Sequence, residues 1–228
     1  MLFKDRTDAG RQLADRLALR RFTSPVVLAL PRGGVPVGYE IAHRLGAPLD
    51  VVLVRKIGAP WQPELALGAI SDGDKPELII NEMVQAELGL TSSYIRKESE
   101  KQLREIDRRR RLYLGGRAPL SLRNSAAVVV DDGIATGATM RAALRSVRHR
   151  KPASIVMAVP VAPGETIDSL RGEADEIVCL HTPAAFGGVG QFYADFAQVD
   201  DEIVAGLLRE NAAAGQRDGG QGRYDEHA

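Results

Sequence analysis

The stretch AVVVDDGIATGATM, residues 127–140, runs three valines into the adjacent carboxylates Asp131 and Asp132, and then offers no side chain bulkier than Ile134 before Met140. A short apolar run closed by turn residues reads as a strand buried on both faces, the kind found inside a parallel sheet. Ligands of open parallel sheets bind outside the carboxyl ends of the strands, so both aspartates emerge where a site forms. The loop GIATGAT leads into a helical segment at residues 139–150. Backbone N–H groups at a helix start, the hydroxyls of Thr136 and Thr139, and the close approach that Gly137 permits make a phosphate cradle. A phosphate there, with two carboxylates one loop away, fits a sugar phosphate.

Four further apolar runs surround this one: PVVLAL (25–30), DVVLVRK (50–56), SIVMAVPV (154–161) and EIVCLHT (176–182). Helical segments lie between them. Residues 5–21 carry Leu13, Leu17 and Leu19 among charges, VGYEIAHRLG (37–46) ends on Gly46, and ETIDSLRG (165–172) is a short helix. The alternation predicts an α/β fold, a doubly wound, mainly parallel sheet of about five strands flanked by helices. Residues 57–123 interrupt it. LALGAIS (65–71) and ELIIN (77–81) read as short strands and residues 91–114 as a long polar helix capped by Thr91 or Ser92, so the segment is an insertion beside the sheet. Residues 1–210 form one domain by this reading, and the Gly-rich polar residues 211–228 a disordered tail.

The 228 residues are 44% apolar, enough for a full core, and 30 basic residues balance 30 acidic ones, so no global field draws the chain to nucleic acid or to an anionic membrane. The run DRRRR (107–111) invites a nucleic-acid reading. Glu100 with Arg104, Glu105 with Arg109 and Asp107 with Arg111 each place an acid four residues before a base, which favours a solvated, ion-paired helix face. MLFKDRTDAG has no apolar stretch of signal-peptide length, and no run reaches the roughly 18 to 20 apolar residues of a spanning helix. A cytoplasmic protein without membrane contact is the expectation. The lone Cys179 sits in an apolar run as a structural thiol. His43 and His149 fall in helices and His227 in the tail, while His181 follows the fifth strand towards the rim. No His and Cys cluster has zinc spacing, and neither a GxSxG elbow nor a GxxxxGK[ST] loop occurs.

VVVDDGIATGAT resembles the signature of the type I phosphoribosyltransferases. LPRGG (30–34) resembles their pyrophosphate loop, RKIG (55–58) with PELALGAIS (63–71) their flexible loop, and residues 182–200 the hood over the base. The resemblance spans residues 25–199 and is nearest to bacterial stand-alone members of unassigned substrate, partly through VGQFYADFAQVDDE (189–202). It implies that 5-phosphoribosyl 1-diphosphate (PRPP) binds with Mg²⁺ and that a nitrogenous base displaces pyrophosphate through an oxocarbenium-like transition state. Asp131 and Asp132 would be the catalytic pair, holding the ribose and, directly or through water, Mg²⁺. Their charge would also stabilise a cationic sugar. Ala135, Thr136, Gly137, Ala138 and Thr139 would take the 5-phosphate. Arg32, Gly33 and Gly34 would take the pyrophosphate, with Lys56 and Arg55 reaching it from the end of the second strand. The family also suggests a homodimer, through the N-terminal or the inserted helix.

Ala135 departs from the members that act on 6-oxopurines, which carry an acid there to assist proton transfer. A 6-aminopurine remains open, and the base is undetermined. Glu64 and Asp72 are carboxylates that can serve as a base, although surface positions are their commoner role. Phe186, Phe192, Tyr193 and Phe196 in the hood suit either base stacking or lid packing, and Phe192, Tyr193 and His181 are the candidate base contacts. Trp61 lies on the loop GAPWQPE (58–64). Two other readings stand beside the enzyme: a PRPP-binding regulator without base chemistry, which Ala135 favours, and a nucleic-acid-binding module using the basic helix.

Overall fold

The computed structural model describes residues 3–72, 76 and 78–218. The first helix, α1 (Arg6–Ala18), starts on Asp5, whose carboxylate accepts the Asp8 amide at 2.7 Å. β1 (Val26–Ala29) follows, then α2 (Gly34–Leu45), which ends at the left-handed Gly46 as the sequence predicts, and β2 (Leu49–Val51). β3 (Val54–Ala59), β4 (Gln62–Ser71) and β5 (Leu78–Ile80) form a separate antiparallel sheet, followed by α3 (Glu82–Glu87) and α4 (Ser92–Leu114). The chain returns through β6 (Ala126–Val130), α5 (Ala138–His149), β7 (Ser154–Val161), α6 (Gly164–Leu170), β8 (Glu176–His181) and α7 (Asp201–Asp218).

The main sheet has the order β2-β1-β6-β7-β8 with every neighbouring pair parallel. Its core follows from alternation along the strands. Val27, Ala29, Val128 and Val130 pack towards Leu13 and Leu17 of α1 and Ile41 of α2. The intervening Leu28, Val129 and Met157 face Leu144 and Val147 of α5 and Ile167 and Leu170 of α6. Both faces are covered, which is why β1 and β6 are apolar at every position and β7 at every position after Ser154. The strand order reverses direction between β1 and β6, so the crevice at the carboxyl ends of these two strands is the topological switch point. The loops leaving them are PRGG and DDGIATG.

Three expectations need correction. The run DVVLVRK is not one strand: β2 ends at Val51, and Val54 already begins the antiparallel sheet, three residues ahead of the expected insertion. Asp72 sits at this crossing, accepting the Leu53 amide at 3.1 Å and pairing with Arg110. It is 7% exposed, so it is a buried joint and not a surface carboxylate. Finally, α7 carries ordered helix through Asp218, across residues assigned to a tail. Asn211 in that helix accepts the Leu49 amide at 2.7 Å and donates to the Ala47 carbonyl at 3.2 Å, occupying the open edge at β2. Residues 219–228 lie outside the described residues.

The long helix α4 opens on Thr91, whose hydroxyl accepts the Tyr94 amide at 3.2 Å. Arg108 and Arg109 both pair with Glu105, and Arg110 turns inward to Asp72. Arg111 donates to the backbone carbonyl of Asp107. Arg108 and Arg111 remain exposed on the helix face, and Arg109 and Arg110 are half-buried.

Candidate functional site

The two loops at the switch point touch. A Cβ built on Gly33 would lie 2.0 Å from Asp132 Oδ2, and one on Gly34 would lie 3.0 Å from the Asp131 Cα. Only glycine allows the PRGG loop to lie this close to the acid pair. The peptide between Pro31 and Arg32 is cis.

Asp131 and Asp132 leave β6 side by side, and Asp131 Oδ1 accepts the Asp132 amide at 2.9 Å. Burial, and then the neighbouring Asp132 charge, push the Asp131 carboxyl well above the ordinary carboxylate range. Burial raises Asp132 as well, against the pull of the Arg6 guanidinium. Arg6 Nε donates to Asp132 Oδ2 at 2.7 Å, and the Tyr193 hydroxyl donates to the Asp132 carbonyl at 2.5 Å. Burial and the Asp132 charge drive the Tyr193 phenol well above its usual range, so it stays a donor.

Beyond the acids, the loop closes on Gly137, which has φ 78° and forms the N-cap of α5 without a side-chain hydrogen bond to the helix. The first amides of α5 therefore remain available to an anion. Ala135, Thr136 and Ala138 are exposed and Thr139 half-buried. Thr166 of α6 fixes the loop by donating to the Ala135 carbonyl at 2.7 Å. Across the crevice, the Arg32 guanidinium lies 4.0 Å from Asp201 Oδ1 at the start of α7. The Gln198 amide, oriented with its oxygen inward, accepts from Arg32 at 2.5 Å.

The remaining sequence candidates are distributed differently from expectation. Lys56 is exposed on β3, outside the parallel sheet, and Arg55 donates to Gln102 of α4 at 3.0 Å. Phe192 and Tyr193 are buried, Phe192 stacking on Phe186 at 5.5 Å and meeting the His181 ring edge at 5.6 Å. Tyr193 packs on Phe3 at 5.3 Å. These rings bind the hood to the N-terminal segment and to β8, so they are lid packing in this structure and not a free stacking platform. Cys179 is half-buried, its thiol raised by burial and donating to the His181 carbonyl. Trp61 is exposed at the turn between β3 and β4, and the Glu64 side chain falls outside the described residues. Sequence reasoning missed Arg6, Thr166, Gln198 and Asp201, because each reaches the site from a distant segment without a local pattern.

A parallel five-stranded sheet, with a glycine loop and an acidic loop meeting at its switch point beneath a C-terminal hood, defines the type I phosphoribosyltransferase fold. The phosphoribosyl transferase domain model matches residues 5–197, and the chain belongs to that family. Two Mycobacterium tuberculosis proteins, from strains CDC 1551 and H37Rv and each named “Putative phosphoribosyl transferase”, are 49% identical over 209 residues. The match covers 91% of this chain and 47% of theirs, so the chain spans about half the length of these curated relatives. The crystal structure of TT1426 from Thermus thermophilus superposes with a TM-score of 0.80 at 44% identity, covering 92% of this chain and 99% of that one. No described helix is long and apolar enough to cross a membrane.

Proposed function

We propose that this protein transfers the 5-phosphoribosyl group of PRPP to a nitrogenous acceptor and releases pyrophosphate. The observation that carries the reading is the close approach of Gly33 to the Asp132 carboxylate, because it brings the glycine loop against the acid pair, as a single ligand spanning both requires. In this reading the 5-phosphate takes the uncapped amides of α5 with Thr136 and Thr139, the ribose hydroxyls bond to Asp131 and Asp132, and the diphosphate lies on Arg32, Gly33 and Gly34. The acceptor nitrogen forms a bond to the anomeric carbon as the bond to the diphosphate oxygen breaks, and pyrophosphate leaves with the electron pair. The proton of the acceptor goes to water, since the loop offers alanine at position 135 where an acid would assist. The carboxylates stabilise the positive charge that develops on the sugar.

No group of three or more His, Cys, Asp or Glu among the described residues surrounds a common metal position. Two carboxylates beside a phosphate loop still suit Mg²⁺, which is bound in such sites by one or two carboxylates plus substrate phosphates. Asp131 and Asp132 would hold it, and its chemistry would be to neutralise the diphosphate as leaving group. The reading places the protein in the cytoplasm, in keeping with a single free thiol. It is tested by pyrophosphate release that requires PRPP, Mg²⁺ and one acceptor from a broad panel of bases. PRPP binding without turnover selects the regulator reading instead, and no PRPP binding removes both.

A further inference from the structure

Arg6 opens α1, 126 residues before its partner Asp132, and it is held from three sides. Its Nε donates to Asp132 Oδ2 at 2.7 Å, its Nη1 donates to the Ala197 carbonyl at 2.8 Å, and its guanidinium carbon lies 3.8 Å from the centre of the Phe196 ring. Phe196 in turn packs on Tyr193 at 5.0 Å, whose hydroxyl reaches the Asp132 carbonyl. The Arg6 and Asp132 side chains are 12% and 14% exposed, so this is no solvent-screened surface pair. The start of α1 and the hood together keep one cation on the acid pair.

Resting on the reading that Asp131 and Asp132 receive Mg²⁺ with PRPP, we infer that Arg6 is the resident counter-cation of the pair and that a divalent cation gains Asp132 only in exchange for it. A carboxylate oxygen in a charge-assisted bond to a guanidinium offers little of its charge to a second cation. A hard cation that seeks oxygen ligands also meets the repulsion of Arg6 at that distance. The diphosphate brings the additional negative charge that offsets this repulsion. Arg6 thereby sets an order of binding: metal alone is held weakly by the free protein, and strongly once PRPP is present. The Ala197 and Phe196 contacts give the released guanidinium a place to remain, so the exchange leaves the hood attached.

The test is titration of the full chain with Mn²⁺, read by loss of the free-ion electron paramagnetic resonance signal, with and without PRPP, each PRPP titration being corrected by one of PRPP without protein. Arg6→Gln is expected to tighten Mn²⁺ binding to the free protein by about tenfold or more, the equivalent of one charge-assisted hydrogen bond, and to narrow its gap to the wild type when PRPP is added. Arg6→Lys keeps the charge and is expected to follow the wild type. A folded Arg6→Gln protein that binds Mn²⁺ no tighter without PRPP, yet normally with it, overturns the inference and leaves Arg6 as a strut for the hood. If Arg6→Gln does not fold, Phe196→Leu loosens the guanidinium while keeping it, and a smaller gain in Mn²⁺ affinity is expected; no gain overturns the inference. Absence of Mn²⁺ binding by the wild type even with PRPP rejects the site reading itself, and the role of Arg6 with it.

Discussion

Replacing Gly33 by alanine strikes at the contact between the two loops. Gly33 has φ −61° and ψ −34°, a conformation open to any residue, so the substitution adds a methyl group without backbone strain. Its Cβ would lie 2.0 Å from Asp132 Oδ2 and 2.5 Å from Asp132 Cγ, whereas ordinary contact begins at 3.4 Å. Loop and carboxylate must therefore separate by the difference, about 1.4 Å. The carboxylate is tied to Arg6 and its peptide carbonyl to Tyr193, so retreat of the side chain comes at the expense of the Arg6 bond. If it turns regardless, the Arg6 bond breaks; if the loop retreats, Arg32 and Gly33 leave the position proposed for the diphosphate. Losing one charge-assisted hydrogen bond to the ligand costs about 1.5–3 kcal/mol, roughly tenfold or more in affinity. Overpacking costs about 1–3 kcal/mol, and at about 2–4 °C per kcal/mol for a chain of this size the Tm should fall by about 2–12 °C. Calorimetric titration with PRPP and Mg²⁺ beside thermal unfolding reads both quantities. The expected result is a cooperative melt with PRPP affinity reduced by about tenfold or more. Wild-type affinity in the alanine variant would refute the argument that the loop and the acid pair share one ligand.

Asp132→Asn removes the charge facing Arg6 and should weaken PRPP binding in Mg²⁺ by about tenfold or more, with the fold retained; unchanged kinetics would place the site elsewhere. Asn211→Ala removes both bonds to the edge at β2 and should cost about 1–3 kcal/mol in denaturant unfolding, whereas a tail without structural role predicts no change. Burial raises the Asp72 carboxyl from 3.8 to about 6 despite the nearby Arg110. The folded state then binds this proton more tightly than the unfolded state, so its contribution to stability falls as pH rises from about 4 to about 6 and stays low above that. Asp72→Asn should flatten that part of the stability curve, and an unaltered pH dependence would contradict the assignment.

The parallel sheet was legible because its central strands β1, β6 and β7 are buried on both faces, so that runs such as residues 126–130 carry no polar position to confuse the period. Gly46 and Thr91 were legible because helix ends obey local chemistry. The acid pair and phosphate loop were legible for a related reason, since their parts are contiguous in the chain. What escaped notice depends on distance. Nothing around Arg6 marks it as the partner of a carboxylate 126 residues away, and nothing around Asp201 marks it as facing Arg32. Val54 looked like the continuation of β2 because an antiparallel hairpin uses the same β-branched residues as a parallel strand. The end of the last helix was hidden by its composition, for the sequence NAAAGQRD has the glycine and polar content of a tail, while the helix is held by Val204 and Leu208 in the core and by Asn211 at β2.

That docking also gives the chain a hazardous interval during its own synthesis. Leu49 and Asn211 are 162 residues apart, so the Leu49 amide on the outer rim of β2 waits for its partner until α7 has been made, although Arg117 reaches the Leu49 carbonyl, at 3.1 Å, much earlier in the chain. At about 5–20 residues per second the interval lasts on the order of 8 to 32 s. An unpaired strand edge is a template for another chain, and neighbouring nascent chains on one message present the same rim at the same time. Products that stop short of α7 never leave this state, which makes them the species expected to seed aggregates during expression.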